Sequence, residues 1–147
     1  MSAYGAVIRW RRDGDFAKGH YSRLHEIEFD GATVRGSASL GVAPAPYAVS
    51  DAIDPEEMFV ASLSTCHLLW FLDVARRAGV IVEAYEDQAE GTLAKNAEGQ
   101  MVMTRVILRP RVESTADPET LDQLHHKAHG LCFIANSVKS EVLVEPR

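Results

Sequence analysis

The stretch from Asp54 to Gly79, DPEEMFVASLSTCHLLWFLDVARRAG, constrains this chain more than any other. Asp54 is a strong N-cap, Pro55 suits the first helical position, and Glu56 and Glu57 favour the positive end of a helix dipole. Asp54 and Glu57 also have capping-box spacing. At the far end Arg76 and Arg77 suit the negative pole, and Gly79 can take the left-handed conformation that stops a helix. The spacing predicts one helix of about six to seven turns. Its middle is apolar nearly all round, from Met58, Phe59 and Val60 to Phe71, Leu72 and Val74, and a helix without a polar face is buried in a core. A membrane span needs about 20 apolar residues. Ser62, Ser64, Thr65, Cys66, His67 and Asp73 interrupt this run and argue against a membrane.

A chain of 147 residues fits one domain, 1–147, with a sizeable core. Its net charge of -6 argues against nucleic acid or an anionic membrane as partner. The N-terminal stretch MSAYGAVIRWRRDGD has no apolar run of signal-peptide length, so the expected location is cytoplasmic. Two cysteines make no disulfide scaffold. In a reducing compartment such a pair is reactive, metal-binding or simply buried.

The remaining elements follow from period. Ala6 to Trp10 and Tyr21 to Phe29 read as strands, and Asp30-Gly31 is a hairpin turn into Ala32 to Ala38. Gly41 to Asp54 is Pro-rich and aperiodic, a loop feeding the helix. Val80 to Leu93 alternates as a strand, Lys95 to Gln100 is a turn, and Val102 to Arg109 alternates again, with Pro110 confining that strand to an edge or an end. Asp117-Pro118-Glu119 repeats the cap chemistry and opens a second helix to about Leu131. Val138 to Glu145 closes the chain as a strand. Antiparallel strands with segregated helices give an α+β fold, antiparallel sheets around a long buried central helix. One small sheet cannot cover that helix, so a second copy of the chain is expected to complete its cover as a homodimer.

Cys66 stands mid-helix. Free cysteine is often just a small buried hydrophobe. A reactive one needs nearby positive charge, and the dipole fades within the first turn, whereas Cys66 lies about three turns in. His67 points about 100° away round the helix. An arginine from the N-terminal strands is the better source of charge, since it stays protonated and grips oxyanions. Cys132 follows the second helix, where a thiol is freer to move, which suits attack on an oxidised Cys66. A rival reading places His125, His129 and Cys132 within a stripe of about 60°, a spacing that could bind zinc, with Cys66 as a fourth ligand. The bland reading of that stripe is a solvated flank beside the apolar face of Leu121, Leu124, Ala128 and Leu131.

DPEEMFVASLSTCH (Asp54 to His67) and AHGLCFIANSVKSEVLV (Ala128 to Val144), with a β-rich N-terminal third, resemble the OsmC/Ohr family of thiol-dependent peroxidases. His67 after the cysteine is more similar to the OsmC branch. Phe133, where proline is usual, and the Trp10 to Gly19 segment depart from the family pattern and leave substrate and reductant open.

The resemblance implies an intertwined homodimer with sites at the subunit interface. It implies a peroxidatic Cys66, a resolving Cys132 that closes a Cys66–Cys132 disulfide, a glutamate at Glu56 and an arginine at Arg23, with Arg35 as alternative. It further implies an oxidative-stress enzyme acting on organic hydroperoxides, with hydrogen peroxide as a second candidate, and recycled by a small dithiol or a thiol protein. No cofactor or metal is required, because sulfur carries the redox chemistry. A straight helix separates Glu56 from Cys66 by about 15 Å. Glu56 is therefore expected to act from the partner subunit, holding Arg23, unless the helix breaks. Trp70, Phe71, Tyr47 and Phe59 could line an apolar pocket. The alternative function is a non-catalytic dimer of this fold that binds a small apolar ligand.

Overall fold

A computed structural model describes residues 1–147 as eight strands, two α-helices and one 3-10 turn. Two compact units divide at the first turn of the long helix, residues 1–58 and 59–147.

In the first unit, β1 (Val7–Arg9), β2 (His25–Glu28) and β3 (Thr33–Gly36) form an antiparallel sheet in that order. The Asp30-Gly31 turn joins β2 to β3 as expected, with the Phe29 N–H donating to the Ala32 carbonyl at 2.8 Å. Tyr21 to Leu24, expected as strand, is loop, because its polar groups bond locally and not to a ladder. Before the helix, the Asp54 N–H donates to Glu57 Oε2 at 3.1 Å and the Glu57 N–H to Asp54 Oδ1 at 2.8 Å, the reciprocal bonds of a capping box.

Helix α1 (Pro55–Arg77) is unbroken and ends where Gly79 takes φ +75°. Its length and composition would let it cross a bilayer. Its packing is that of a core helix along one face, with Leu63, His67, Phe71, Val74 and Ala75 buried. Ala61, Ser62, Thr65, Leu69 and Leu72 lie exposed on the other face. The near-continuous apolarity of the sequence thus resolves into two faces, of which this chain covers one.

In the second unit, β5 (Glu90–Lys95), β6 (Met101–Leu108) and β8 (Glu141–Val144) form one sheet, and β4 (Val82–Asp87) pairs with β7 (Pro110–Ser114) in a two-stranded ribbon. The single strand expected over Val80 to Leu93 is therefore two, and β7 was not expected at all. Both breaks lie at one level: Asp87 pairs with Pro110 and Glu90 with Ile107. Pro110 has no N–H for a ladder. The Arg109 N–H leaves the ladder too, donating to Asp87 Oδ1 at 2.6 Å while Ser64 Oγ donates to Asp87 Oδ2 at 2.5 Å. Strand β8 pairs with β6 in parallel, a departure from the antiparallel expectation.

Helix α2 (Pro118–Leu131) starts on Asp117, whose carboxylate accepts the Thr120 N–H at 2.7 Å. The C-terminal half of α1 packs Phe71, Val74 and Ala75 against Leu124 and Ala128 of α2, with Tyr85 and Val112 of the ribbon alongside. Nearer the start of the helix, Leu63 packs on Val106 and Leu108, rimmed by Val142 and Val144.

Candidate active site

The two thiols are neighbours. Cys66 is half-buried on α1, and Cys132, 1% exposed, caps the C-terminus of α2. The Cys132 sulfur accepts the Ala135 N–H at 3.4 Å, from the short turn Ala135–Ser137 that follows α2. Burial pushes the Cys132 thiol up to about 11. The N–H groups of Ala135 and Ile134 oppose that rise, while a side-chain hydrogen bond and the charge of Cys66 add to it. A thiol that stays protonated beside Cys66 can donate its S–H to that sulfur.

His67 follows Cys66 but points into the core, as the 100° step round a helix requires. It is fully buried, and its Nε2 lies 3.0 Å from Nδ1 of His125 on α2. The two rings stack at 5.3 Å, and His125 stacks in turn on Phe71 at 4.2 Å. Burial lowers both imidazoles to about 4; for His67, charge repulsion from His125 and His129 adds to burial and Asp87 opposes it. The pair is neutral at neutral pH. His67 Nδ1, His129 Nδ1 and the Tyr85 hydroxyl are buried without partners. The zinc reading of His125, His129 and Cys132 fails on this geometry. His125 is turned to His67, and no three His, Cys, Asp or Glu side chains converge in a way that could hold a metal. The pairing of His125 with His67 escaped sequence reasoning. Its one signal was the position of His125 beside the apolar stripe of Leu121, Leu124 and Ala128.

In the first unit Arg23 makes no ion pair. Its Nη1 donates to the carbonyls of Gly19 at 3.0 Å and Tyr21 at 2.6 Å. Arg35, the alternative arginine, pairs with Asp51 at 2.8 Å on the surface. Glu56 is half-buried and makes no ion pair or side-chain hydrogen bond. Because α1 runs unbroken from Pro55 to Arg77, Glu56 cannot fold back onto Cys66 of its own helix. Of the four aromatic candidates for a pocket, Phe71 is plain core at 0% exposure. Trp70 lies edge-on to Phe133 at 5.3 Å, and Tyr47 stacks on His20 at 5.4 Å. Phe59 does line a cavity of about 600 Å³, with Val102, Met103 and Val138.

A sequence model of the family described as OsmC-like protein matches residues 48–147, more than half of the chain. The chain belongs to the OsmC-like family. An OsmC-like protein of unknown function from Vibrio cholerae is 45% identical over 100% of both chains, with a TM-score of 0.96. The organic hydroperoxide resistance protein OhrB of Bacillus subtilis is 19% identical over 98% of each chain (TM-score 0.72). An OsmC-like protein from Mycoplasma pneumoniae is 12% identical over 99% of this chain and 96% of that one (TM-score 0.79). At these two lower identities the likeness is one of fold. No curated protein sequence matches the chain. Both α-helices and both cysteines of this chain lie within residues 48–147, which the family model spans.

Proposed function

We propose that this OsmC-like protein is a cytoplasmic thiol peroxidase that reduces organic hydroperoxides in oxidative-stress defence. The observation that carries the reading is the adjacency of Cys66 and Cys132, both free, one half-open and one buried. In the proposed cycle the Cys66 thiolate attacks the terminal oxygen of ROOH. The O–O bond breaks, RO⁻ takes up a proton and leaves as ROH, and Cys66 becomes a sulfenic acid. Cys132 then attacks the Cys66 sulfur, a disulfide forms, and the hydroxyl leaves as water with the Cys132 proton. A dithiol reductant exchanges with the disulfide and restores both thiols.

Arg23 is the proposed stabiliser of the thiolate and of the departing oxygen. Its lack of an ion pair supports it over Arg35, whose charge Asp51 already meets. Glu56 is proposed to reach Arg23 from a second copy of the chain, and the uncovered face of α1 supports such a homodimer.

The test is mass spectrometry of non-reduced protein before and after one equivalent of cumene hydroperoxide. A loss of two hydrogens mapped to Cys66–Cys132, absent in Cys66→Ser, is expected. Cys132→Ser should consume one equivalent without an internal disulfide. Free thiols on both cysteines would reject the peroxidase and favour a non-catalytic dimer that binds a small apolar ligand.

A further inference from the structure

The segment from Trp10 to Arg23 is built around one guanidinium. Arg23 lies in a loop, yet its backbone and one end of its guanidinium are held. Its backbone N–H donates to the Tyr47 carbonyl at 2.7 Å, and its carbonyl accepts from His25 Nδ1 at 2.8 Å. Both Nη1 hydrogens go to carbonyls, those of Gly19 and Tyr21. The guanidinium carbon sits 3.8 Å above the centre of the Tyr21 ring, with the Tyr47 ring at 5.9 Å. Tyr21 thus grips Arg23 twice, through its ring face and its own carbonyl.

The Tyr21 ring is itself braced. Phe16 packs against it at 4.7 Å and Trp10 meets it edge-on at 5.7 Å. Trp10 Nε1 donates to the Ser22 carbonyl at 2.9 Å, and Asp13 accepts the Ser22 N–H at 2.8 Å. The Gly19 carbonyl is presented by a small hairpin in which Asp15 pairs with His20. Gly14, at φ +69°, makes that hairpin possible, since a Cβ there would lie 2.2 Å from the His20 carbonyl oxygen. Loop, aromatic brace and hairpin converge on Arg23.

A guanidinium has five donors in a planar fork. With Nη1 engaged, the Nε–H and Nη2 hydrogens are left without a partner in the chain, and they form the edge that takes an oxyanion or carboxylate in bidentate fashion. We propose that Tyr21 is a positioning residue. It fixes the Arg23 guanidinium face-on, so that the Nε/Nη2 edge is held ready-made for an oxyanion. This role rests on the reading of Arg23 as the arginine of the peroxidase site. It also accounts for Trp10 to Gly19, which that reading leaves without a purpose.

The test is a double-mutant cycle on kcat/KM for cumene hydroperoxide with the full-length protein. Arg23→Ala should lower kcat/KM by roughly 100-fold. Tyr21→Leu, which keeps the backbone carbonyl and removes the ring, should lower it by roughly 5- to 30-fold. Tyr21→Phe keeps the ring face and should restore the wild-type value to within about two-fold. In the Arg23→Ala background Tyr21→Leu should cost nothing further.

An equal loss in both backgrounds would mean that Tyr21 acts through the fold, and overturns the proposal. A wild-type rate in Tyr21→Leu beside a disabled Arg23→Ala overturns it and leaves the peroxidase reading intact. An unaffected Arg23→Ala overturns the Arg23 assignment and this role with it. NMR relaxation of the Arg23 Nε–Hε group gives a readout independent of turnover and keeps the proposal open to refutation. It should be ordered in the wild type and in Tyr21→Phe and mobile in Tyr21→Leu, and a mobile group in the wild type refutes the clamp.

Discussion

Acid should unfold this protein through two particular side chains. His67 and His125 are 0% and 3% exposed, bonded to each other at 3.0 Å, and both held down at about 4. In the unfolded chain each returns to about 6.5. Below that value the unfolded state binds protons that the folded state refuses, so stability is fully present above pH 6.5 and is lost as pH falls towards 4. Linkage gives about 2 kcal/mol per histidine at pH 5 and about 3.4 kcal/mol once both states are protonated. The two rings share a hydrogen bond and titrate as a pair, so the loss between pH 8 and pH 5 should be about 2 to 4 kcal/mol. Most carboxylates remain ionised down to pH 5, which isolates the histidines. Urea unfolding followed by circular dichroism at fixed protein concentration should show the midpoint fall by about 1 to 2 M over that range. The double variant His67→Leu/His125→Leu should lose most of the slope. A wild-type midpoint flat from pH 8 to pH 5, or an equal slope in the double variant, would refute the buried neutral pair.

Two further outcomes follow from the site and from the open helix face. Because burial pushes Cys132 up to about 11, iodoacetamide at pH 8 should label it far more slowly than in urea-unfolded protein, read by peptide mass spectrometry; equal rates would mean that the thiol is not shielded. Leu69 is 62% exposed on α1, so Leu69→Glu should leave the fold intact while weakening the proposed dimer by at least about 100-fold in sedimentation; an unchanged dimer would place the contact elsewhere.

The helices were legible because their signals are local. Asp54, Glu57 and Gly79 mark α1, and Asp117 marks α2, by bonds and backbone angles within a few residues. What escaped was set by distant partners. The split of Val80 to Leu93 depends on Asp87 meeting the Arg109 N–H and Ser64, which no periodicity reveals. Tyr21 to Leu24 has strand composition, yet its groups are drawn into the loop that holds Arg23. The parallel pairing of β8 is likewise invisible in its alternation, since both pairing senses give the same period. Both cysteines were identifiable as types in motifs, but their adjacency needed α1, α2 and the turn after Cys132 to be in place. The partnership of His67 with His125 is another product of packing between helices.

The parallel pair of β6 with β8 also bears on how this sheet is completed. The hairpin of β5 and β6 closes across the short turn between Lys95 and Met101. Joining β8 to the far edge of β6 must instead bring Glu141 back to Arg105 past the whole of β7 and α2. Each doubling of loop length adds about 0.6 kcal/mol of closure entropy, so this contact should form later than the hairpin. Until it does, Leu63, Val106 and Leu108 lack the cover of Val142 and Val144. Within this sheet, the return of one four-residue strand is the longest closure, made to an edge of β6 that the hairpin leaves open.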